Sequence, residues 1–214
     1  MEKRRFVDVV RQNYAWIQSM EKAASAFHEA VNQKYDHVLP YGFHLKMTAS
    51  YVSRYGYLVA NSETDVLVLY AAAYLHDTIE DARLTYNDII QFISDFCEEH
   101  PSGSEMNMLQ IKEEVPEIVY ALTNEKGRNR RERANEVYYL GIRKTKFAPF
   151  VKMCDRLANI HYSVMFFLSN RMLNVYRAEY PGFIRLINVG AVTPVPELMR
   201  KEAERLLNSE AYIM

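Results

Sequence analysis

Residues 71–89, AAAYLHDTIEDARLTYNDI, place His76, Asp77, Glu80 and Asp81 directly behind an apolar run. A charge in low-dielectric surroundings is expensive unless it is paired or bound to a cation, so this stretch calls for a solvated helix end or a partner ion. On a helix, residues four apart share a face with Cβ atoms ~5–6 Å apart, which pairs His76 with Glu80 and Asp77 with Asp81. An imidazole beside a carboxylate is half of a divalent-metal site, and mixed nitrogen and oxygen donors suit manganese, iron or zinc. Two further ligands are then needed. Asp155 is one candidate, because FVKMCDRLANI sets an acid inside an apolar helical pattern, and His44, at a helix start in YGFHLKMTASYV, is the other. Taken singly, such a histidine commonly caps a helix, and an aspartate next to Arg156 commonly forms an ion pair. The metal reading rests on joint occurrence: His, His-Asp and Asp, in that order, on three separate expected helices.

The elements that must position these residues read as helical. Seven glycines and seven prolines in 214 residues is sparse punctuation, which favours long helices over many short strands. Phe6, Val9, Val10, Tyr14, Ile17, Met20, Ala24 and Phe27 recur at three- and four-residue steps, predicting one amphipathic helix over 6–31. NQKYDHVLPYGF breaks it. A second helix is expected from about Phe43 to Tyr57, and a third from about Thr64, apolar on every face between Val66 and Leu75, with His76 to Asp81 as its last turns. Thr85 followed by Asp88 makes a shortened capping box for a helix reaching about Glu98. Residues 105–124 read as a helix with Pro116 near its start or at a kink. After the basic segment NEKGRNRRERAN, the run FVKMCDRLANIHYSVMFFL is too long for one strand and too charged for a membrane span, so it is a second core helix. A final helix tolerates Pro196 in its first turn. The expected fold is therefore all-α and a single domain over 1–214.

Composition narrows the function classes. A net charge of −1 gives no global basic field for nucleic acid or an anionic membrane, so phosphate recognition has to be local. Two cysteines, Cys97 and Cys154, are too few for a disulfide scaffold or a cysteine-rich zinc site, and no window reaches the ~18 apolar residues of a membrane span. A cytoplasmic location is the expectation. His161 does not suggest a second metal, because His28, His37 and His100 do not supply the spacing for one, and the Met-aromatic run YSVMFFL reads as core.

The ordered set is specific enough to suggest a family. FH at 43–44, YLHDTIED at 74–81 and VKMCDRLANI at 151–160 resemble the H…HD…D pattern of the HD-domain metal-dependent phosphohydrolases. LHDTIED with KMCDRLAN is similar to the hydrolase domain of the RelA/SpoT family, and to its small single-domain alarmone hydrolases in particular. The likeness covers about residues 20–165, including ALTNEKGRNRRER, and leaves a C-terminal helical extension over 166–214. The resemblance implies an HD-type helical bundle in which His44, His76, Asp77 and Asp155 bind one divalent ion. That ion would be manganese, with iron, zinc or cobalt as alternatives. Glu80 and Asp81 would position and deprotonate the attacking water. The implied reaction is hydrolysis of a guanosine 3′-diphosphate alarmone. The alternatives are another small nucleotide (a nucleoside monophosphate or a 2′-phosphorylated dinucleotide) and a non-catalytic metal- or nucleotide-binding module.

Substrate contacts are expected from Asn159, which shares a helix face with Asp155, and from Lys126, Arg128 and Arg131 within a basic loop that also holds Arg130 and Arg133. Lys34 and Tyr41 flank the loop before His44 and are expected at the site mouth, while Lys152 and Arg156 read as structural. The chain departs from the family at HLK after the first histidine, where the family has HP, and in the preceding loop, which puts guanine recognition in question. No synthetase or regulatory domain fits in residues 166–214. The expected partner is a small nucleotide, with neither nucleic acid nor membrane, and a homodimer is left open.

Overall fold

The computed structural model describes residues 1–102, 107–124, 132, 135–165 and 170–209. Ten helices and one minimal hairpin are described, in the order α1 (Lys3–Gln12), α2 (Tyr14–Ala30), β1 (Lys34–Tyr35), β2 (Leu39–Pro40), α3 (Gly42–Tyr55), α4 (Glu63–Leu75), α5 (Tyr86–Glu99), α6 (Met108–Leu122), α7 (Glu136–Lys144), α8 (Ala148–Met165), α9 (Asn170–Asn188) and α10 (Glu197–Leu207). The chain is an all-α single domain, as its sparse glycine and proline content predicts. No helix among the described residues is long and apolar enough to cross a membrane.

Helix α4 is the hub. Ser62 caps it by accepting from the Asp65 N–H while the Asp65 carboxylate accepts from the Ser62 N–H, and every residue from Thr64 to Leu75 is buried. A helix apolar on all faces needs neighbours on all faces, and α4 has them in α2, α3 and α6, with α1 and α8 contributing. Each fully buried Leu or Val in it, such as Leu67, Val68 and Leu69, is worth roughly 1.5–3 kcal/mol. Helix α3 lies against both α4 and α8, so the three segments that carry His44, His76-Asp77 and Asp155 pack side by side.

Three boundaries differ from the sequence expectation. The single helix expected over 6–31 is two, α1 and α2, separated at Asn13, whose side-chain amide donates to the Val9 carbonyl and ends the first helix. Helix α4 stops at Leu75. There the Thr78 N–H and hydroxyl both reach the Leu75 carbonyl (3.0 and 2.6 Å), and residues 76–82 continue as turns. Pro196 stands at the cap of α10, outside its first turn. The Thr85–Asp88 capping box at α5 has both halves, and Pro116 lies inside α6.

The linker between α2 and α3 is an antiparallel hairpin pairing Lys34 with Pro40 and Tyr35 with Leu39. Asp36 and His37 both take left-handed conformations (φ 49° and 66°) in the Tyr35–Val38 turn. Strand alternation sends neighbouring side chains to opposite faces: Lys34 is exposed and Tyr35 turns inward. Gly42 then opens α3 against α2, where a Cβ would stand 2.6 Å from Ser25 Oγ, so α3 enters close enough to bring His44 under the hairpin.

Candidate metal centre

His44 is in the first turn of α3, His76 and Asp77 follow the last residue of α4, and Asp155 is in the middle of α8. Their donor atoms converge. His44 Nε2 is 3.3 Å from His76 Nε2, 3.6 Å from Asp77 Oδ2 and 3.4 Å from Asp155 Oδ1. His76 Nε2 is 2.9 Å from Asp77 Oδ2 and 3.9 Å from Asp155 Oδ1. Four donors around one cation at ~2.1 Å lie ~3–3.5 Å apart, which is the scale of these separations. His44, His76 and Asp77 form the tightest group, with all three donors within 4.8 Å of one another, and Asp155 adds a fourth oxygen beside both imidazoles.

The protonation pattern fits a cation. The His76 Nδ1 lies 2.9 Å from the Ala73 carbonyl, which can only accept, so Nδ1 carries a proton and Nε2 is the nitrogen that faces the cluster. Two bare imidazole nitrogens at 3.3 Å would repel, so without a cation His44 Nε2 must hold a proton. Burial disfavours charge on His44, but its hydrogen bonds to Asp155 and Asp77, together with their charges, override burial and push it up to about 9. Both aspartates, which burial alone would raise, are held well below the usual carboxylate range. Asp77 is lowered by His76 and His44, and Asp155 by Lys152 and His44. Asp65, at the other end of α4, is a buried carboxylate held by two backbone N–H groups, Gln110 and Lys146, with no histidine near it among these partners.

Outer partners fix these side chains. Lys152 Nζ sits 3.0 Å from Asp155 Oδ2, and the Asn159 amide donates to Asp155 Oδ1 at 2.5 Å. Tyr35 donates to Asn159 Oδ1 at 2.9 Å while its ring stacks on His44 at 4.8 Å. The Tyr41 hydroxyl is 2.6 Å from Asp77 Oδ2 and 2.8 Å from Asp81 Oδ2. It has one proton and can donate to only one of them. Burial and the Asp77 charge push Asp81 up. The Tyr41 ring rests on the fully buried His28, with centroids 4.2 Å apart, and burial pushes that imidazole down to about 4. Glu80 turns the other way and accepts from Asn124 Nδ2 at 2.7 Å. It lines, with Asp155 and Asn159, a cavity of about 650 Å³ between α7, α8 and α9.

The structure therefore brings together His44, His76, Asp77 and Asp155, sets Asp81 and Tyr41 against them, and puts Glu80 and Asn159 on the cavity wall. Lys34 is exposed on the hairpin, and Lys126, Arg128 and Arg131 lie outside the described residues, as do Arg130 and Arg133. Arg156 pairs with Glu179 at 3.0 Å, and His161 Nδ1 is 3.1 Å from the Tyr51 hydroxyl. Tyr35 and Asn124 carried no sequence signal. No protein-family model, curated protein or solved structure matches the chain.

Proposed function

We propose that the protein is a metal-dependent phosphohydrolase of small nucleotides, of the HD type that its motifs resemble, with manganese as the metal and a guanosine 3′-diphosphate alarmone as the leading substrate. The observation that supports the reading is the gathering of His44, His76 and Asp77 into one group of donors, with Asp155 beside both imidazoles, from three segments far apart in sequence. A divalent ion bound by that set supplies a lowered pKa for water and screening of phosphate charge.

The chain's own groups divide the remaining work. Asp155 is braced by Lys152 and Asn159, and His76 is fixed in one tautomer by the Ala73 carbonyl, so the ligand set is pre-oriented before any ion arrives. Glu80 faces the cavity and is steered by Asn124, which makes it the general base for the attacking water, a role worth ~10²–10⁴-fold. Asp81, held by the Tyr41 hydroxyl beside the metal ligands, helps position the attacking water. A site serving stability alone would need the four ligands but neither of these carboxylates.

Purified protein assayed with manganese against alarmones and a nucleotide panel, beside Asp77→Ala, tests the proposal. Turnover that needs manganese and disappears in the variant supports it, and equal turnover by the variant removes it.

A further inference from the structure

Two imidazoles turn a nitrogen to the candidate metal centre, and their far nitrogens are held differently. The His76 Nδ1 meets the Ala73 carbonyl at 2.9 Å. The His44 Nδ1 is buried and has no hydrogen-bond partner among the described residues. A histidine that binds a metal ordinarily gives its second N–H to a carboxylate, a carbonyl or water, and that bond fixes the rotation of its ring. At His44 the protein has to set the ring plane by another contact.

Tyr35 supplies it. The two rings lie 4.8 Å apart between centroids and 15° from parallel, so turning the imidazole about its Cβ–Cγ bond would drive it into the phenol. Tyr41 meets the same imidazole edge-on, at 5.5 Å and 71°, and its hydroxyl is engaged with Asp77 and Asp81.

The far end of Tyr35 reaches a second member of the cluster. Its hydroxyl donates to Asn159 Oδ1 at 2.9 Å, which leaves the Asn159 Nδ2 to donate to Asp155, at 2.5 Å to the carboxylate Oδ1 and 3.1 Å to the backbone carbonyl. A flipped amide would set an oxygen against that carboxylate and an N–H against the tyrosine proton. One side chain therefore joins His44 on α3 to Asp155 on α8, whose donor atoms are 3.4 Å apart.

The hairpin that carries Tyr35 is itself docked. Asp36 accepts from the Tyr162 hydroxyl at 2.8 Å, and the Tyr35 ring meets the Tyr162 ring edge-on at 4.8 Å. Asn159 and Tyr162 are three residues apart and share a face of α8, so the hairpin is fastened there at two adjacent points.

We infer that Tyr35 is a positioning residue of the metal centre: its ring fixes the plane of His44, and its hydroxyl, through Asn159, fixes the carboxylate of Asp155. This deepens the proposed reading and rests on its four-residue centre, not on its substrate.

Cobalt(II) reports the geometry of its ligands through visible d–d absorption, so titrating chelator-treated protein with cobalt reads affinity and geometry together without turnover. Wild type, Tyr35→Phe, Tyr35→Leu, Asn159→Ala and the Tyr35→Phe/Asn159→Ala double variant are compared at equal folded fraction by circular dichroism. Tyr35→Leu loses at least ~10-fold in cobalt affinity and shifts the spectrum. Tyr35→Phe keeps the stacked ring and loses less, and its loss vanishes once Asn159 is alanine, because the hydroxyl acts through that amide. If Tyr35→Leu does not fold, Tyr35→Phe and the double variant carry the test. Affinity and spectrum unchanged in the Tyr35 variants, losses in Tyr35→Phe and Asn159→Ala that simply add, or a wild type that takes up no cobalt overturn the inference. The two readings fail separately. Manganese-dependent nucleotide hydrolysis with wild-type cobalt loading in the Tyr35 variants removes only the role of Tyr35. Cobalt loading that depends on Tyr35, with no nucleotide hydrolysed, leaves that role standing and removes the hydrolase.

Discussion

Removing the metal makes the stability of this fold depend on pH in a way that the loaded protein does not share. In the apo protein His44 must carry the proton that stands between two imidazoles and two aspartates, and its pKa is raised from 6.5 to about 9. A histidine raised in the folded state contributes stability that is fully present below its unfolded pKa and is lost as pH climbs through its folded pKa. The window is therefore pH 6.5 to 9. At ~1.4 kcal/mol per pKa unit, the loss across it is on the order of 3 kcal/mol, a large share of the ~5–15 kcal/mol that holds a domain folded. A divalent ion takes the place of that proton, so the loaded protein keeps its stability across the window, and loading near pH 7.5 releases about one proton per site. Urea unfolding of chelator-treated protein at half-unit steps from pH 6 to 9.5, with and without manganese, reads the first effect. Calorimetry in buffers of different ionisation enthalpy reads the second. An apo stability that stays level or rises from pH 6.5 to 9 would refute the assignment of that proton to His44.

Other perturbations separate the roles of neighbouring groups. Glu80→Gln retains metal, since Glu80 binds Asn124 and is not among the converging donors, but lowers turnover by ~10²–10⁴-fold in steady-state assays. Tyr41→Phe withdraws the hydroxyl shared by Asp77 and Asp81 and destabilises the apo protein by ~1–3 kcal/mol in urea unfolding, with secondary structure by circular dichroism unchanged. Leu69→Ala, at a fully buried position of α4, costs ~2–5 kcal/mol in the same experiment and leaves metal stoichiometry intact in the folded fraction. Lys152→Met, which takes away the cation beside Asp155, tightens the dependence on metal: the apo form loses more stability than the loaded form.

The parts of this molecule that were legible in its sequence are those where local chemistry and tertiary need agree. The run from Val66 to Leu75 is apolar on every face, and α4 is surrounded on every face. Thr85 and Asp88 are a capping box because both hydrogen bonds are local to the helix end. That His44, His76-Asp77 and Asp155 come together was legible for a related reason, since a buried acid in an apolar pattern demands a partner, and Asp155 has Lys152 and Asn159 beside the two imidazoles. What escaped was decided by geometry that a one-dimensional pattern does not carry. The 3.6-residue period runs unbroken across Asn13, so nothing in it marks two helices. Lys34 and Tyr35 are adjacent, and only the register of a two-residue hairpin, turned through left-handed Asp36 and His37, decides that the tyrosine faces His44 and the lysine faces solvent. Helix α9, which supplies a wall of the cavity, was expected only as part of a helical extension over 166–214, without bounds of its own. Pro181 and Gly182 sit within that continuous helix.

The central claim is that four side chains, from α3, the end of α4 and α8, hold one divalent cation. Elemental analysis of purified protein, with His76→Ala and Asp155→Ala beside wild type at matched folded fraction, tests it most directly. The account predicts close to one equivalent of a transition metal, manganese foremost, in wild type and a loss of at least ~10-fold in affinity in each variant. Metal-free wild type that also takes up no manganese on titration, or variants that load as fully as wild type, would contradict it.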